Sequence, residues 1–176
     1  MTDRAPVIVR DARPADGDAI RAVTLEAYAE YATLMEPSAW AGLERAVHAA
    51  LAADAPGVHR IVAEHAGAVV GSVMLYPPAT DAYHGEAGAG AEAAWPELRL
   101  LAVSRAARGL GVGRLLVDEC ARRARAMGST DLGLHTSESM RAARRLYESM
   151  GFVRAPEHDF RPEGAELVEG YRLRLG

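Results

Sequence analysis

Between Glu97 and Gly113 the chain reads Glu-Leu-Arg-Leu-Leu-Ala-Val-Ser-Arg-Ala-Ala-Arg-Gly-Leu-Gly-Val-Gly. Leu98 to Val103 has the apolar content of a buried strand, Ser104 to Leu110 reads as a loop, and a helix is expected from about Gly111. Gly109, Gly111 and Gly113 lack a Cβ, so backbone N–H groups can close round an anion and a ligand can approach the main chain. The following helix adds its unpaired N–H groups and the positive end of its dipole. A strand that delivers a glycine loop to a helix N-terminus constrains the chain to an α/β arrangement with a diphosphate site at that junction.

Three ligand classes compete for such a loop, and a glycine-rich turn without a ligand is the further alternative. A mononucleotide loop requires Gly-x-x-x-x-Gly-Lys-Ser/Thr. Here Gly113 is followed by Arg114 and the chain has no lysine, which excludes it. A dinucleotide fingerprint requires Gly-x-Gly-x-x-Gly directly after the first strand. The spacing Gly-x-Gly-x-Gly, five residues from its strand and deep in the chain, fits that poorly. The third pattern, Arg-x-x-Gly-x-Gly on Arg108, Gly111 and Gly113, resembles the acetyl-coenzyme A loop of the GCN5-related N-acetyltransferases.

A second signature supports the resemblance. A helix from Gly111 to Met127 carries Val112, Leu115, Leu116, Cys120, Ala124 and Met127 on one face, and Gly128 stands at its C-cap. Asp131 to Thr136 follows as a short strand, and Ser137-Glu138-Ser139 is expected to cap the next helix. That helix contains Ala143, Leu146, Tyr147, Gly151 and Phe152, which match the family's Ala-x-x-Leu-Tyr-x-x-x-Gly-Phe position by position.

Elsewhere the expected elements are a strand from Val7 and helices to about Tyr31 and from Trp40 to Ala53. A hairpin of Val58 to Glu64 and Val69 to Tyr76 turns at Ala66-Gly67. A long loop rich in Gly, Ala and Pro runs from Pro77 to Trp95, and late strands lie near Phe152 to Arg154 and Leu167 to Leu175. The order β-α-α-β-β-β-α-β-α-β-β matches the acetyltransferase fold as one domain over residues 7–176. The resemblance implies a mixed sheet whose central strands splay around the cofactor's pantetheine arm.

The composition agrees. With 176 residues, 49% hydrophobic and 25% charged, the chain is an ordinary globular sequence. No apolar run is long enough for a membrane span and the N-terminus lacks a signal peptide's hydrophobic stretch, so a cytoplasmic protein is expected. A net charge of −4 offers no basic field for nucleic acid and mildly favours a cationic acceptor. Cys120 is the only cysteine and is expected to be a buried, inert thiol; the scattered histidines have no metal-ligand spacing. A homodimer is compatible with this reading. Lysine, asparagine and glutamine are all absent, a compositional bias that counsels against reading function into each replacement.

Acetyl transfer to an amine requires a neutral nucleophile, donors for the developing oxyanion and a proton for the departing thiolate. The resemblance implies Tyr147 as the acid and Glu97 as the base, directly or through water, with an amine acceptor. It implies that the cofactor's diphosphate lies on Arg108, Gly109, Leu110, Gly111, Val112, Gly113 and Arg114, and its pantetheine on backbone groups of Leu101, Ala102 and Val103 beside Ala143. Many relatives have asparagine seven residues before the tyrosine; here that position is Met140, with Ser139 as a substitute contact. Tyr28, Tyr31, Tyr76 and His135 are candidates for the acceptor side, with Met35, Trp40, Tyr83, His84 and the stretch Glu157 to Phe160 as further ones. A small-molecule amine, a peptide or protein amine, and a non-catalytic acyl-coenzyme A-binding module remain open as functions.

Overall fold

The structure, a computed structural model, describes residues 5–78 and 94–176. In chain order the elements are β1 (Val7–Asp11), α1 (Gly17–Ala29), α2 (Pro37–Ala52), β2 (His59–His65), β3 (Ala68–Tyr76) and β4 (Glu97–Val103). They continue with α3 (Val112–Ala126), β5 (Asp131–Ser137), α4 (Arg141–Ser149), β6 (Val153–Arg154) and β7 (Val168–Arg174). The order is the expected one, and the strands form one seven-stranded sheet, β1-β2-β3-β4-β5-β7-β6. Every neighbouring pair is antiparallel except β4 with β5, which run parallel.

Local chemistry sets the boundaries. The β2–β3 hairpin turns on Ala66 and Gly67, both at positive φ (50° and 80°), a turn whose twist suits paired strands. α3 ends at Met127, and Gly128 takes φ 79° while its N–H donates to the Arg125 carbonyl. The expected cap of α4 does not form: Met140 is the N-cap, without a side-chain bond, because Ser137 is still the last residue of β5. The strand's pairing with Val168 holds Ser137 in the ladder and takes it out of reach as a cap.

Helices cover both faces of the sheet. Ile61, Val73, Leu98, Leu132, Leu134 and Phe152 share one core with Leu116 of α3 and Tyr147 of α4, with Cys120 of α3 fully buried among them. Burial pushes the Cys120 thiol up to about 12. Leu115, expected on the apolar face of α3, is instead 40% exposed. On the other face Met74, Tyr76 and Leu100 pack with Val47 and Ala50 of α2. At roughly 1.5–3 kcal/mol for each fully buried large aliphatic side chain, the two clusters are the main stabilising term. Gly71 of β3 is required by close approach, since a Cβ there would lie 2.7 Å from Val112 Cγ1.

An ion-pair cluster ties α3 to the β1 edge. Glu119 accepts from Arg122 (2.7 Å) and Arg123 (2.8 Å), and Arg123 reaches Asp11 (2.6 Å) and His59. The guanidinium partners hold the Glu119 carboxyl at about 2, well below its ordinary 4.5. A depressed acid stabilises the fold above its unfolded-state value and loses that contribution as pH falls toward the folded one. Between pH 4.5 and pH 2 the thermal midpoint of Glu119→Gln should therefore fall less steeply than that of the wild type. Circular dichroism melts across that window test this, and parallel slopes would remove Glu119 from the acid transition.

Candidate active site

The site is built where two parallel strands stop pairing. Glu97 opposite Gly133 is the sole register pair of β4 with β5, supported by Gly133 N–H donating to the Pro96 carbonyl at 2.9 Å. Gly133 admits no side chain, because a Cβ would collide with the Trp95 indole and stand 3.2 Å from Glu97 Oε1. Beyond this point β4 keeps only β3 as a partner, and there the register slips between Ser72–Ala102 and Met74–Arg99. Leu100 takes up the extra residue at φ 54°, a left-handed conformation that costs a residue with a Cβ about 1–2 kcal/mol. The bulge sends Leu98 to the α3 side and Leu100 to the α2 side of the sheet. The gap between the parted strands is a cleft of about 510 Å³, a size that suits a small-molecule site.

The glycine loop lies between the end of β4 and α3. Gly109 and Gly111 sit at φ 79° and 76°, and a Cβ built on either meets nothing within 4 Å, so the space above their backbone is open. Gly111 is the N-cap of α3. Gly113 has a different reason, since a Cβ there would come 3.0 Å from Leu146 of α4. Val112 is buried beneath the sheet and Leu110 half-buried, so these positions offer main chain to a ligand. Arg108 is engaged by Glu30 at 2.6 Å, as is Arg105, and Arg114 donates to Ser149 Oγ at 2.9 Å. Leu101 and Ala143 line the cleft, whereas Ala102 is buried in its pairing with Ser72 and Val103 packs in the α3-side core. Ser139 Oγ donates to Glu166 Oε1 in a short bond.

Tyr147, on α4 one turn after Ala143, lines the cleft while its ring packs 5.7 Å from Phe152. Burial, reinforced by Tyr28 and Tyr31, lifts its phenol well above the ordinary value and keeps the proton on oxygen. Glu97 is buried and does not itself line the cleft; its Oε1 stands 3.2 Å from Nδ1 of His135, which does. His135 Nε2 lies 2.8 Å from the His158 carbonyl, which can only accept, so Nε2 carries hydrogen and Nδ1 is the atom turned to the carboxylate.

On the far side Tyr28 and Tyr31, in edge contact at 5.7 Å, line the cleft with Met35 and Phe160. Burial raises both phenols. Tyr76 is not brought to the cleft: it is 1% exposed in the α2-side core, its hydroxyl without a partner among the described residues. Trp40 is not part of the lining either, Asp159 is occupied by Arg154, and Tyr83 and His84 lie outside the described residues. Sequence reasoning missed Arg45, Arg99, Thr136, Ser137 and Glu166, all of which line the cleft. Thr136 Oγ1, Ser137 Oγ and Glu166 Oε2 are buried without hydrogen-bond partners among the described residues. The same residues contain no group of three or more His, Cys, Asp or Glu placed to hold a metal, and no helix long and apolar enough to cross a membrane.

This architecture recurs in solved structures. A GCN5-related N-acetyltransferase from Rhodopseudomonas palustris superposes with a TM-score of 0.69 at 18% identity, with 99% of each chain covered. A GNAT-family acetyltransferase from Staphylococcus aureus gives 0.65 at 13%, over 97% of this chain and 99% of the other. A GNAT-family acetyltransferase from Brucella melitensis, solved in complex with acetyl-CoA, gives 0.57 at 24%, over 97% and 88%. No curated protein sequence matches the chain at a significant level. The model of the acetyltransferase (GNAT) family matches residues 24–152, which include the glycine loop, the parted strands and Tyr147, and the chain belongs to that family.

Proposed function

We propose that the protein is an acetyl-CoA-dependent N-acetyltransferase that moves the acetyl group directly to a primary amine while both substrates are bound. One observation carries this reading: the parted β4 and β5 put a phenol that burial keeps protonated and a His–carboxylate pair on one continuous cleft. A non-catalytic binding module has no need of either group. The Brucella melitensis protein of the same fold, solved in complex with acetyl-CoA, supports the donor.

The residues present fit that cosubstrate. The open space above Gly109 and Gly111 admits a diphosphate to the backbone N–H groups of Arg108 to Arg114 and to the dipole of α3. The edge of β4 from Leu101 to Val103, free of β5, has main-chain groups for the amides of a pantetheine arm, with Ala143 opposite. The bound cosubstrate supplies the acetyl thioester. Backbone N–H groups near the Leu100 bulge stabilise negative charge on the acyl oxygen. Tyr147 gives its proton to the departing sulfur, Glu97, held beside His135, takes the amine's proton through water, and Tyr28 and Tyr31 wall the acceptor. The reading is tested by incubating the protein with acetyl-CoA and a panel of primary amines, following thiol release and acetylated product by mass spectrometry. Release without product, or neither with any amine, would refute it.

Tyr147→Phe removes one hydroxyl and keeps the ring against Phe152. Turnover should drop by roughly a hundredfold while acetyl-CoA affinity stays within about twofold. A fully active variant would end the acid assignment. A Cβ at Gly111 meets no neighbour within 4 Å, so Gly111→Val bears chiefly the cost of its positive φ, at least about 1–2 kcal/mol. It should nonetheless weaken coenzyme A binding by at least about tenfold in calorimetry, because the side chain fills the space of the diphosphate. Unchanged affinity in a folded variant would move the diphosphate elsewhere.

A further inference from the structure

The rim of the cleft at the end of β5 is polar and short of partners. Ser137 pairs with Val168 across β5 and β7, so Glu166, two residues before Val168, hangs over the strand end. Its Oε1 is fixed by the Ser139 hydroxyl, while Oε2 is buried and accepts from nothing among the described residues. Beside it on β5, Thr136 (3% exposed) and Ser137 (5%) carry hydroxyls that are likewise buried and unpartnered. All three residues line the cleft. A buried acceptor left unmade costs about 1–3 kcal/mol, more for a carboxylate, so unpartnered oxygens lining one cleft call for a donor from a ligand. The charges divide by wall: Glu163 joins Glu166 on the loop before β7, and Arg45 and Arg99 come from α2 and β4.

Resting on the acetyltransfer reading, we propose that Glu166, braced by Ser139 and flanked by the hydroxyls of Thr136 and Ser137, binds a protonated nitrogen of the acceptor that is not the nitrogen acetylated. The attacking amine must be neutral, and a carboxylate at hydrogen-bond distance holds an amine in its charged form. A site of this chemistry therefore suits an anchor and opposes a nucleophile. The acceptors are amines that carry a second cationic group, with a diamine as the simplest member.

The probes are 1,4-diaminobutane and butylamine, which share a reacting amine and differ by the second cation. With wild-type protein and acetyl-CoA, kcat/KM for the diamine should exceed that for the monoamine by at least about tenfold, chiefly through KM, the size expected of one charge-assisted hydrogen bond. Glu166→Gln keeps the shape and a hydrogen-bonding partner for Ser139 but removes the charge, and should bring the ratio to within about twofold of unity. Ser137→Ala, which deletes only a hydroxyl, should lower the ratio by about threefold. Calorimetry of 1,4-diaminobutane with the protein in the presence of coenzyme A gives a readout independent of turnover. Binding that Glu166→Gln abolishes would support the anchor even if no amine were acetylated, and so separates the two readings. Absence of diamine binding, or a ratio that survives Glu166→Gln, would overturn the proposal. So would a tenfold loss of acetyl-CoA affinity in Glu166→Gln with the ratio unchanged, which would give Glu166 to the pantetheine arm.

Discussion

A single rung of β-ladder, Glu97 against Gly133, decides the shape of everything functional in this protein. It joins the antiparallel half that begins at β1 to the half completed by β7 and β6. Without it the sheet would be two sheets; with more rungs there would be no cleft. Trp95 packs where Gly133 has no side chain, and Glu97 lies beneath the same spot, so the rung is locked by an aromatic ring and a buried carboxylate. The strain at Leu100 belongs to the same design. The bulge turns β4 away from its parallel partner, and burial of the Leu100 side chain at 6% exposure offsets a backbone conformation that leucine disfavours.

Several buried polar groups line the cleft at the end of β5. Most charged pairs, such as Arg10 with Asp16 and Glu64 or Arg154 with Asp159, are satisfied near the surface and contribute little each. The hydroxyls of Thr136 and Ser137 and one oxygen of Glu166 are buried on the same cleft without partners among the described residues, an arrangement a folded protein keeps when something other than the fold uses it. Tyr147 shows the complementary effect. Low polarity around it penalises a phenolate and keeps the proton on its oxygen at neutral pH.

Element order, the hairpin turn and the helix after Gly111 were legible because each has a short-range cause: periodicity, a two-residue turn, a glycine at a helix end. The motif residues were legible for the same reason, since Arg108 to Gly113 and Ala143 to Phe152 are contiguous. What sequence reasoning missed depends on distance along the chain. Glu166 meets Ser139 across 27 residues, and nothing local distinguishes it from the other acidic residues of its loop. Tyr76 was misjudged because β3 is covered on both faces, so alternation cannot say which way leads to the cleft. Ser137 was read as a cap because a serine before a helix is ambiguous until the strand's partner is known. The parting of the strands came from family resemblance, since no periodicity encodes an absent ladder.

The lone cysteine turns the core into its own reporter. Cys120 is fully buried against β-strands on the inner face of α3, and its raised pKa leaves it almost wholly protonated at neutral pH. A thiol in that state is inert to alkylating and disulfide reagents until the surrounding packing opens. The folded protein therefore contributes almost no background to a colorimetric measurement of sulfhydryl groups. Any slow labelling that does occur counts, one event per chain, the moments when α3 lifts off the sheet.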